Sequence, residues 1–413
     1  MVKDVPPTAT LFDIKERTRL RPAGHAESSY VFFNESARSE CGHIRELLES
    51  WFAGYPAVRR NELRTLLQST NEPDFVGAFF ELYCYTLLSR QGFTPEIHPS
   101  LNNERKTHPD FRVRKDDVPV CYFECTVARG RDPETERRIN LLLDDLNQLR
   151  SANFLLCLDV HGDVPKTNPP IKEIRRGLDK WLHSLDHDAV AAKMKRRNGM
   201  PTEEHIFRRD GWHLVFAAVP LREDLRGVVG TDRRLIGSSM YVGTSSFVDA
   251  QQPLLKTLSD KRAGRYGELD LPYVIAVSVR SEPAEEWDIR SALFGHFAVS
   301  RSENSGDLTL IHQRDGFWMG RSGPQNRSVS AVLVTSLLEP FRCAIAQPVL
   351  WHNPWARRIL NPELWSGPQI QLDLINEEMY RDLIRCDGQP AHKLLELDSD
   401  WPFVVGNSRG CAR

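Results

Sequence analysis

Three acidic residues between positions 75 and 128 have the types and the order of a metal-binding set. Glu81 interrupts the apolar run FVGAFFELYCYTLLSRQ, and Asp110 and Glu124 stand near the beginning and the end of a pattern typical of a β-hairpin. Carboxylate oxygens are the ligands that Mg²⁺ and similar hard cations prefer. The arrangement predicts, in outline, a site where carboxylates hold a divalent cation.

The first of these residues lies on a helix predicted over 75–91. Asn71 and Pro73 are helix start signals, and Gly92 is a stop signal. The run is apolar nearly all round, which is typical of a helix buried on several sides. The Glu81 carboxylate must therefore find a cation, a hydrogen-bond partner or water, because burying it alone costs several kcal/mol.

The other two acids are positioned by the hairpin predicted over 110–127. Side chains alternate between the two faces of a strand, so Tyr122 and Glu124 share one face. With a turn centred near Asp116, Asp110 lies opposite Tyr122 and diagonal to Glu124, on that same face. Both carboxylates are then expected to point to one place.

Hydrophobic periodicity predicts an α/β protein in which a mixed central sheet is flanked by helices. Its core has the order helix, three strands, helix, strand: helix 75–91, strands 93–98, 110–113 and 118–127, helix 133–149 and strand 153–160. Further predictions are helices at 34–52, 56–68, 170–197, 253–262 and 285–294, and strands at 212–219, 273–279 and 329–334. We favour one elaborated domain: a lead-in and helical segment at 1–70, the core with extensions at 71–280, and an α/β extension at 281–413.

Over about residues 71–160, the chain resembles the PD-(D/E)xK nuclease superfamily, which has the restriction-endonuclease-like fold. The residues that carry the resemblance are Glu81 on the first helix, Pro109-Asp110 opening one strand, and Glu124-Cys125-Thr126 in the next. The resemblance implies a restriction-endonuclease-like core with N-terminal helices and a C-terminal extension. It also implies a nuclease that hydrolyses phosphodiester bonds with Mg²⁺ or Mn²⁺.

By the same resemblance, each acidic position acquires an expected role. Asp110 and Glu124 would be the principal metal ligands, Glu81 an accessory ligand that acts directly or through water, and the carbonyl of Cys125 a further ligand. The expected partner is nucleic acid, DNA ahead of RNA, and a homodimer is a compatible assembly. The sequence leaves open whether cleavage is internal or from an end, and whether a base sequence is read.

The chain departs from the family pattern at Thr126, which stands where the family has a catalytic lysine. A hydroxyl can hydrogen-bond to the attacking water, so Thr126 stays a catalytic candidate, but it carries no positive charge. The candidates for a replacement cation, and for phosphate contacts, are Lys106, Arg137, Arg138, Lys256 and Lys261. Two alternatives remain: the metal alone suffices, or the protein is inactive and only binds nucleic acid or serves as an interaction scaffold.

Composition limits the remaining functional classes. Of the 413 residues, 40% are hydrophobic and 27% charged, which is a soluble globular composition. With 54 Lys and Arg against 56 Asp and Glu, the net charge of −2 gives no general attraction to a polyanion, so nucleic acid would require a local basic surface. The segment 256–266, KTLSDKRAGRY, offers such a surface or is simply a solvated helix face.

The sequence also indicates the compartment. No apolar run reaches the length of a membrane span, and the N-terminus lacks the apolar core of a signal peptide, which predicts a cytoplasmic protein without a membrane partner. The eight cysteines lie mostly in apolar patterns and are expected to be reduced thiols rather than zinc ligands. No phosphate-binding loop, dinucleotide-binding glycine pattern or nucleophile elbow is present in the sequence.

Overall fold

The computed structural model describes residues 10–101, 107–227, 233–236, 241–242, 250–280, 284–301, 308–375 and 380–403. The chain divides into two compact units. The first comprises Met1–Arg19, Ser28–Gly130 and Asp249–Arg413, and the second comprises Leu20–Glu27 and Arg131–Val248. Among the helices in these ranges, none is both long and apolar enough to cross a membrane.

The elements are numbered here in chain order within the described ranges. The helices α1 to α10 are Ser29–Glu35, Ser39–Gly54, Arg60–Leu67, Glu72–Arg90, Pro133–Leu146, Ile171–Ser184, His187–Arg196, Gln251–Asp260, Glu286–Phe294 and Ala391–Leu394. The strands β1 to β16 are Thr94–Ile97, Phe111–Lys115, Val118–Ala128, Phe154–Val160, Glu204–Arg209, Trp212–Pro220, Tyr241–Val242, Tyr273–Val279, Phe297–Arg301, Leu308–His312, Met319–Gly320, Gly323–Pro324, Ala331–Ser336, Pro348–His352, Gln369–Leu374 and Tyr380–Cys386.

The first unit is built on a mixed sheet with the strand order β1-β2-β3-β8-β13-β14-β15-β16. Antiparallel pairing joins β1, β2 and β3, whereas β3, β8 and β13 run parallel to one another. All seven residues of β8 are buried, as expected of a strand covered on both faces. The predicted mixed central sheet flanked by helices is therefore confirmed.

Two helices pack against β3 and position the predicted site. Helix α4 contacts both β1 and β3, so most of its residues are buried. This burial explains why the helix is apolar on nearly every side. Helix α8 packs on β3 and β8, and its Leu254 and Leu258 share a hydrophobic core with Ile275 and Val277 of β8. Helix α8 and strand β8 are thus anchored in a shared hydrophobic core of this unit.

A tight turn and a bulge set the register of the β2–β3 hairpin. Asp116 and Asp117 both have positive φ, 49° and 63°, which is the combination found in a two-residue type I′ turn. Farther along, the register shifts between Val113 and Arg114, where β3 carries one extra residue. Because of the turn and the bulge, residues of β2 and β3 pair differently from those of a regular hairpin whose turn is centred on Asp116.

The predicted pairing of Asp110 with Tyr122 is consequently wrong. Tyr122 pairs with Arg112, which brings Asp110, the residue directly before β2, to the level of Glu124. A register change of two residues keeps every side chain on its original face, whereas a change of one would not. The predicted shared face of Asp110 and Glu124 therefore survives the error, and the two acids are opposite rather than diagonal.

A second correction concerns the last two elements of the predicted core. The strand predicted at 153–160 forms β4 of a separate sheet, with the order β5-β6-β4-β7, and the helix predicted at 133–149 is α5 of the same second unit. In the first unit, the parallel neighbour of β3 is β8 and the helix before it is α8. Both β4 and β8 are short apolar runs, so hydrophobicity alone could not decide which of them joins β3.

Two smaller predictions concern a long helix and the cysteines. The helix predicted at 170–197 is divided into α6 and α7, because Asp186 caps a new helix by accepting a hydrogen bond from the Ala189 N–H. The described cysteines form no disulfide with one another: Cys41, Cys84, Cys121, Cys125, Cys157, Cys343 and Cys386. Cys411 lies outside the described residues.

Trp351 provides a test of the core of the first unit. Its side chain in β14 is 1% exposed and packs against Phe294, with ring centroids 6.3 Å apart. Replacing it with alanine leaves a large cavity, so Trp351→Ala is expected to lower the free energy of unfolding by about 3–5 kcal/mol. The measurement is urea denaturation followed by circular dichroism.

The matched control is Trp287→Ala, which removes a tryptophan that is 60% exposed on α9. A surface substitution of this kind is expected to change the free energy of unfolding by less than about 0.5 kcal/mol. Equal effects of the two substitutions would contradict the packing assigned to β14.

Candidate functional site

Asp110 is buried close to two other acidic residues, Glu124 and Glu81. Its Oδ2 accepts a hydrogen bond of 2.7 Å from the backbone N–H of Cys125. Burial and, next, the charge of Glu124 raise the pKa of Asp110 to about 8, and Glu81 acts in the same direction. A nearby cation would favour the ionised form of this carboxyl group.

Glu124, in β3, is a buried carboxylate with a donor on each oxygen. Only 2% of the residue is exposed. Oε1 lies 2.7 Å from Nζ of Lys261, and Oε2 accepts a hydrogen bond of 2.6 Å from the hydroxyl of Tyr266. A guanidinium nitrogen of Arg265 lies 3.7 Å from Oε1. These partners offset the cost of burying the charge.

Lys261 directly follows helix α8, and its backbone is fixed there. Its carbonyl accepts a hydrogen bond of 2.8 Å from the hydroxyl of Tyr273, the first residue of β8. Its side chain remains 27% exposed. The end of α8 thus delivers an ammonium group to the carboxylate of β3, although the two residues are 137 positions apart in sequence.

Glu81 is held by a tyrosine. Its Oε1 accepts a hydrogen bond of 2.5 Å from the hydroxyl of Tyr55, which follows α2 and is 1% exposed. Burial raises the pKa of Glu81, and the charge of Glu124 raises it further, whereas the Tyr55 hydrogen bond lowers it. The acid predicted to need a partner on an apolar helix has therefore found one, and it feels the charge of the same site.

The remaining predicted residues of the first unit have different surroundings. Thr126 is half-buried in β3, two residues beyond Glu124 and on the same face, and pairs in register with Val277. Cys125 contributes its backbone N–H to Asp110, as described above. Lys256 is exposed on α8. Lys106 lies outside the described residues.

Arg137 and Arg138 belong to the second unit. Arg137 lies 3.9 Å from the carboxylate of Glu134, and Arg138 lies 3.4 Å from the same carboxylate. Arg138 also donates to the hydroxyl of Thr135 at 2.9 Å. Both guanidinium groups therefore interact within α5, the helix that carries them.

Sequence reasoning missed two tyrosines, Tyr55 and Tyr266, that hold site carboxylates. Tyr266 ends the basic segment 256–266, and its place next to Arg265 in the sequence was the available signal. In the structure, the guanidinium carbon of Arg265 lies 5.2 Å from the centroid of the Tyr266 ring. Tyr55 had no such signal, because an aromatic residue after an amphipathic helix is most often part of the core.

The donor set fits a divalent cation only in part. Across the described ranges, no group of three or more His, Cys, Asp or Glu side chains is arranged to hold a metal ion, so the acids do not form a three-carboxylate cage. Mg²⁺, however, is commonly bound through one or two carboxylates and completes its shell with water and phosphate oxygens. Asp110 and Glu124, whose charges interact, offer those two carboxylates.

Comparisons of the chain with models of protein families, with curated proteins and with solved structures gave no match. Function has to be inferred from the chemistry of the site. That chemistry comprises two interacting carboxylates, a third acid held by a tyrosine, and a lysine in contact with one of the carboxylates.

Proposed function

We propose that the protein is a metal-dependent nuclease that hydrolyses phosphodiester bonds in DNA, or in RNA, with Mg²⁺ or Mn²⁺ bound by Asp110 and Glu124. The observation that carries the proposal is the 2.7 Å contact between Nζ of Lys261 and Glu124. The contact supports the view that Lys261, at the end of α8, supplies the positive charge that Thr126 lacks. A homodimer and a cytoplasmic location remain predictions from the sequence.

The order of elements in the first unit gives further support. Helix α4, strands β1, β2 and β3, helix α8 and strand β8 follow one another in the order helix, three strands, helix, strand, with an antiparallel hairpin and then a parallel neighbour. This is the order expected for a PD-(D/E)xK core, with residues 131–248 inserted before the second helix. Fold alone does not establish an activity, so the proposal rests mainly on the site residues.

In the proposed mechanism, the residues of the chain hold charge in fixed positions. The N–H of Cys125 and the hydroxyl of Tyr266 hold the carboxylates of Asp110 and Glu124, which would be the residues that bind the cation. When bound, a divalent cation would stabilise charge on the phosphate and lower the pKa of a water molecule. The ammonium group of Lys261 would offset charge that develops on the phosphate oxygens.

The two remaining candidates act on water. Glu81, oriented by Tyr55, would be an accessory group that binds the cation through a water molecule rather than directly, since the three acids form no cage. The Thr126 hydroxyl can hydrogen-bond to the attacking water without removing its proton.

A second candidate function is binding of nucleic acid without cleavage. The observation that favours it is that Glu124 already has a donor on each oxygen, as a structural ion pair would. This candidate predicts affinity for nucleic acid that falls steeply with salt, and no cleavage with any metal.

The test is an assay of the full chain on end-labelled single- and double-stranded DNA and RNA, with Mg²⁺, Mn²⁺ or EDTA. We expect cleavage with Mg²⁺ or Mn²⁺, none in EDTA, and none by Glu124→Gln, because that variant removes the charge of one ligand. Cleavage in EDTA, or cleavage by Glu124→Gln at the wild-type rate, would refute the nuclease proposal. Salt-sensitive binding without cleavage would favour the second candidate.

A further inference from the structure

We propose that Lys261 and the divalent cation compete for Glu124, so that binding of the cation releases the Lys261 ammonium group from the carboxylate and makes it available to the substrate phosphate. The inference rests on the proposed function and adds to it the way in which the site is loaded. Lys261 would then be exchanged between two anions, Glu124 before loading and the phosphate after it.

Both carboxylate oxygens of Glu124 already have partners. Tyr266 donates to Oε2, and Lys261 contacts Oε1 at 2.7 Å. Because the residue is 2% exposed, few other positions around the carboxylate are open to a ligand. A cation that approaches Oε1 must share this oxygen with Lys261 or displace it.

Positive charge already lies close to Oε1 of Glu124. Lys261 and Arg265 already place two positive groups within 4 Å of one carboxylate oxygen, at 2.7 and 3.7 Å. A divalent cation brought to the same oxygen is repelled by both, and the repulsion is strong where water is largely excluded. Tyr266 is a neutral donor and opposes the cation much less. The exchange therefore takes place at Oε1, where the ammonium group lies.

The contacts of Lys261 hold its backbone but leave its side chain able to move. The backbone of Lys261 is fixed by the hydrogen bond from Tyr273, whereas the side chain is a flexible four-carbon stem that is partly exposed. The ammonium group can therefore leave Glu124 without any change at the end of α8. Arg265, which is 42% exposed, can remain near the site as the second positive group.

The experiment measures Mn²⁺ affinity of the full chain by isothermal titration calorimetry, without nucleic acid. Lys261→Met keeps the length of the side chain and removes its charge, and it is expected to bind Mn²⁺ about 10-fold more tightly than wild type. Lys261→Arg keeps the charge and is expected to stay within about 3-fold of wild type. Lys393→Met, at an exposed position of the same unit, should not change the affinity.

The outcomes separate this inference from the proposed function. If Mn²⁺ binds and Asp110→Asn abolishes binding, but Lys261→Met binds no more tightly than wild type, competition is refuted while the nuclease proposal stands. If wild type and Lys261→Met both bind no Mn²⁺, the proposed metal site and the competition fail together.

A second measurement compares the melting temperatures of Lys261→Met and wild type, in case the substitution destabilises the fold. Lys261→Met leaves the buried Glu124 with less compensation, so its melting temperature in EDTA should fall below that of wild type. Saturating Mn²⁺ should then raise its melting temperature by more than it raises that of wild type. An equal or smaller rise would count against competition.

Discussion

Asp110→Asn is expected to lower the rate of phosphodiester cleavage by about 10³-fold, because losing the charge of this proposed metal ligand would remove several kcal/mol of metal-based stabilisation of the transition state. The fold should persist, since the asparagine oxygen can still accept the hydrogen bond that Cys125 donates to Asp110 at 2.7 Å. The measurement is the single-turnover rate with saturating Mg²⁺, on whichever nucleic acid wild type cleaves.

The same substitution is expected to stabilise the protein in EDTA. The pKa of Asp110 is raised from 3.8 to about 8 by burial and then by the charge of Glu124. The folded state therefore holds a proton that the unfolded state releases, so this group makes stability fall as pH rises from about 4 to about 8. Asp110→Asn lacks that part of the slope and should be more stable than wild type by about 1–3 kcal/mol at pH 8, with little difference at pH 4.

Urea denaturation at both pH values measures this change, with Asp387→Asn as the control at an exposed position of the same unit. The control should change neither the cleavage rate nor the slope of stability with pH. Wild-type cleavage by Asp110→Asn would remove Asp110 from the site. A variant no more stable than wild type at pH 8 would contradict the crowding of charge around it.

The opposite signs of these two effects have a physical origin. Carboxylates brought together to bind a cation repel one another until it arrives, so a site of this kind reduces stability in favour of function. Glu81 and Glu124 both raise the pKa of Asp110, in agreement with such crowding. Neutralising one of these carboxylates is therefore expected to stabilise the fold and, at the same time, to weaken the proposed metal site.

Local structure around the site was predictable because it depends on nearby residues. The apolar period gave α4, alternation gave β2 and β3, and the buried run gave β8, each within a few residues of its observed bounds. The shared face of Asp110 and Glu124 was predictable because side-chain alternation has a period of two.

The neighbour of β3 was not predictable, because it is a choice between distant segments. Two apolar strands, β4 and β8, were compatible with the sequence, and the nearer one belongs to the second unit. The predicted hairpin register was wrong for a local reason, because the bulge in β3 shifts the strand partners.

The basic side chain of the site could be predicted only as one of several candidates. Lys261 was among the five basic candidates, but sequence spacing gives no distance between residues 137 positions apart. Lys256, five residues earlier and within α8, had the same chemistry and is exposed. The carbonyl of Lys261 accepts a hydrogen bond from the Tyr273 hydroxyl, a tertiary contact at the end of α8 that the sequence does not reveal.

Lys261→Met is expected to reduce the cleavage rate by about 10²–10³-fold, as removal of one positioned charge from a transition-state site typically does. Lys261→Arg should recover part of the rate, because it restores the charge but not the shape of the ammonium group. The single-turnover rate at saturating Mg²⁺ measures both, and saturation excludes weaker metal binding as the cause.

Lys393→Met controls for the loss of one lysine from the surface of the same unit and should cleave at the wild-type rate. If Lys261→Met cleaves as fast as wild type, the contact with Glu124 is a structural ion pair and Thr126 or the metal alone must suffice. Combined with tighter Mn²⁺ binding, a slower rate would separate two roles of one side chain: Lys261 opposes the metal at Glu124 and assists the reaction at the phosphate. A purely structural lysine would not produce both effects, since losing it would weaken metal binding and cleavage together.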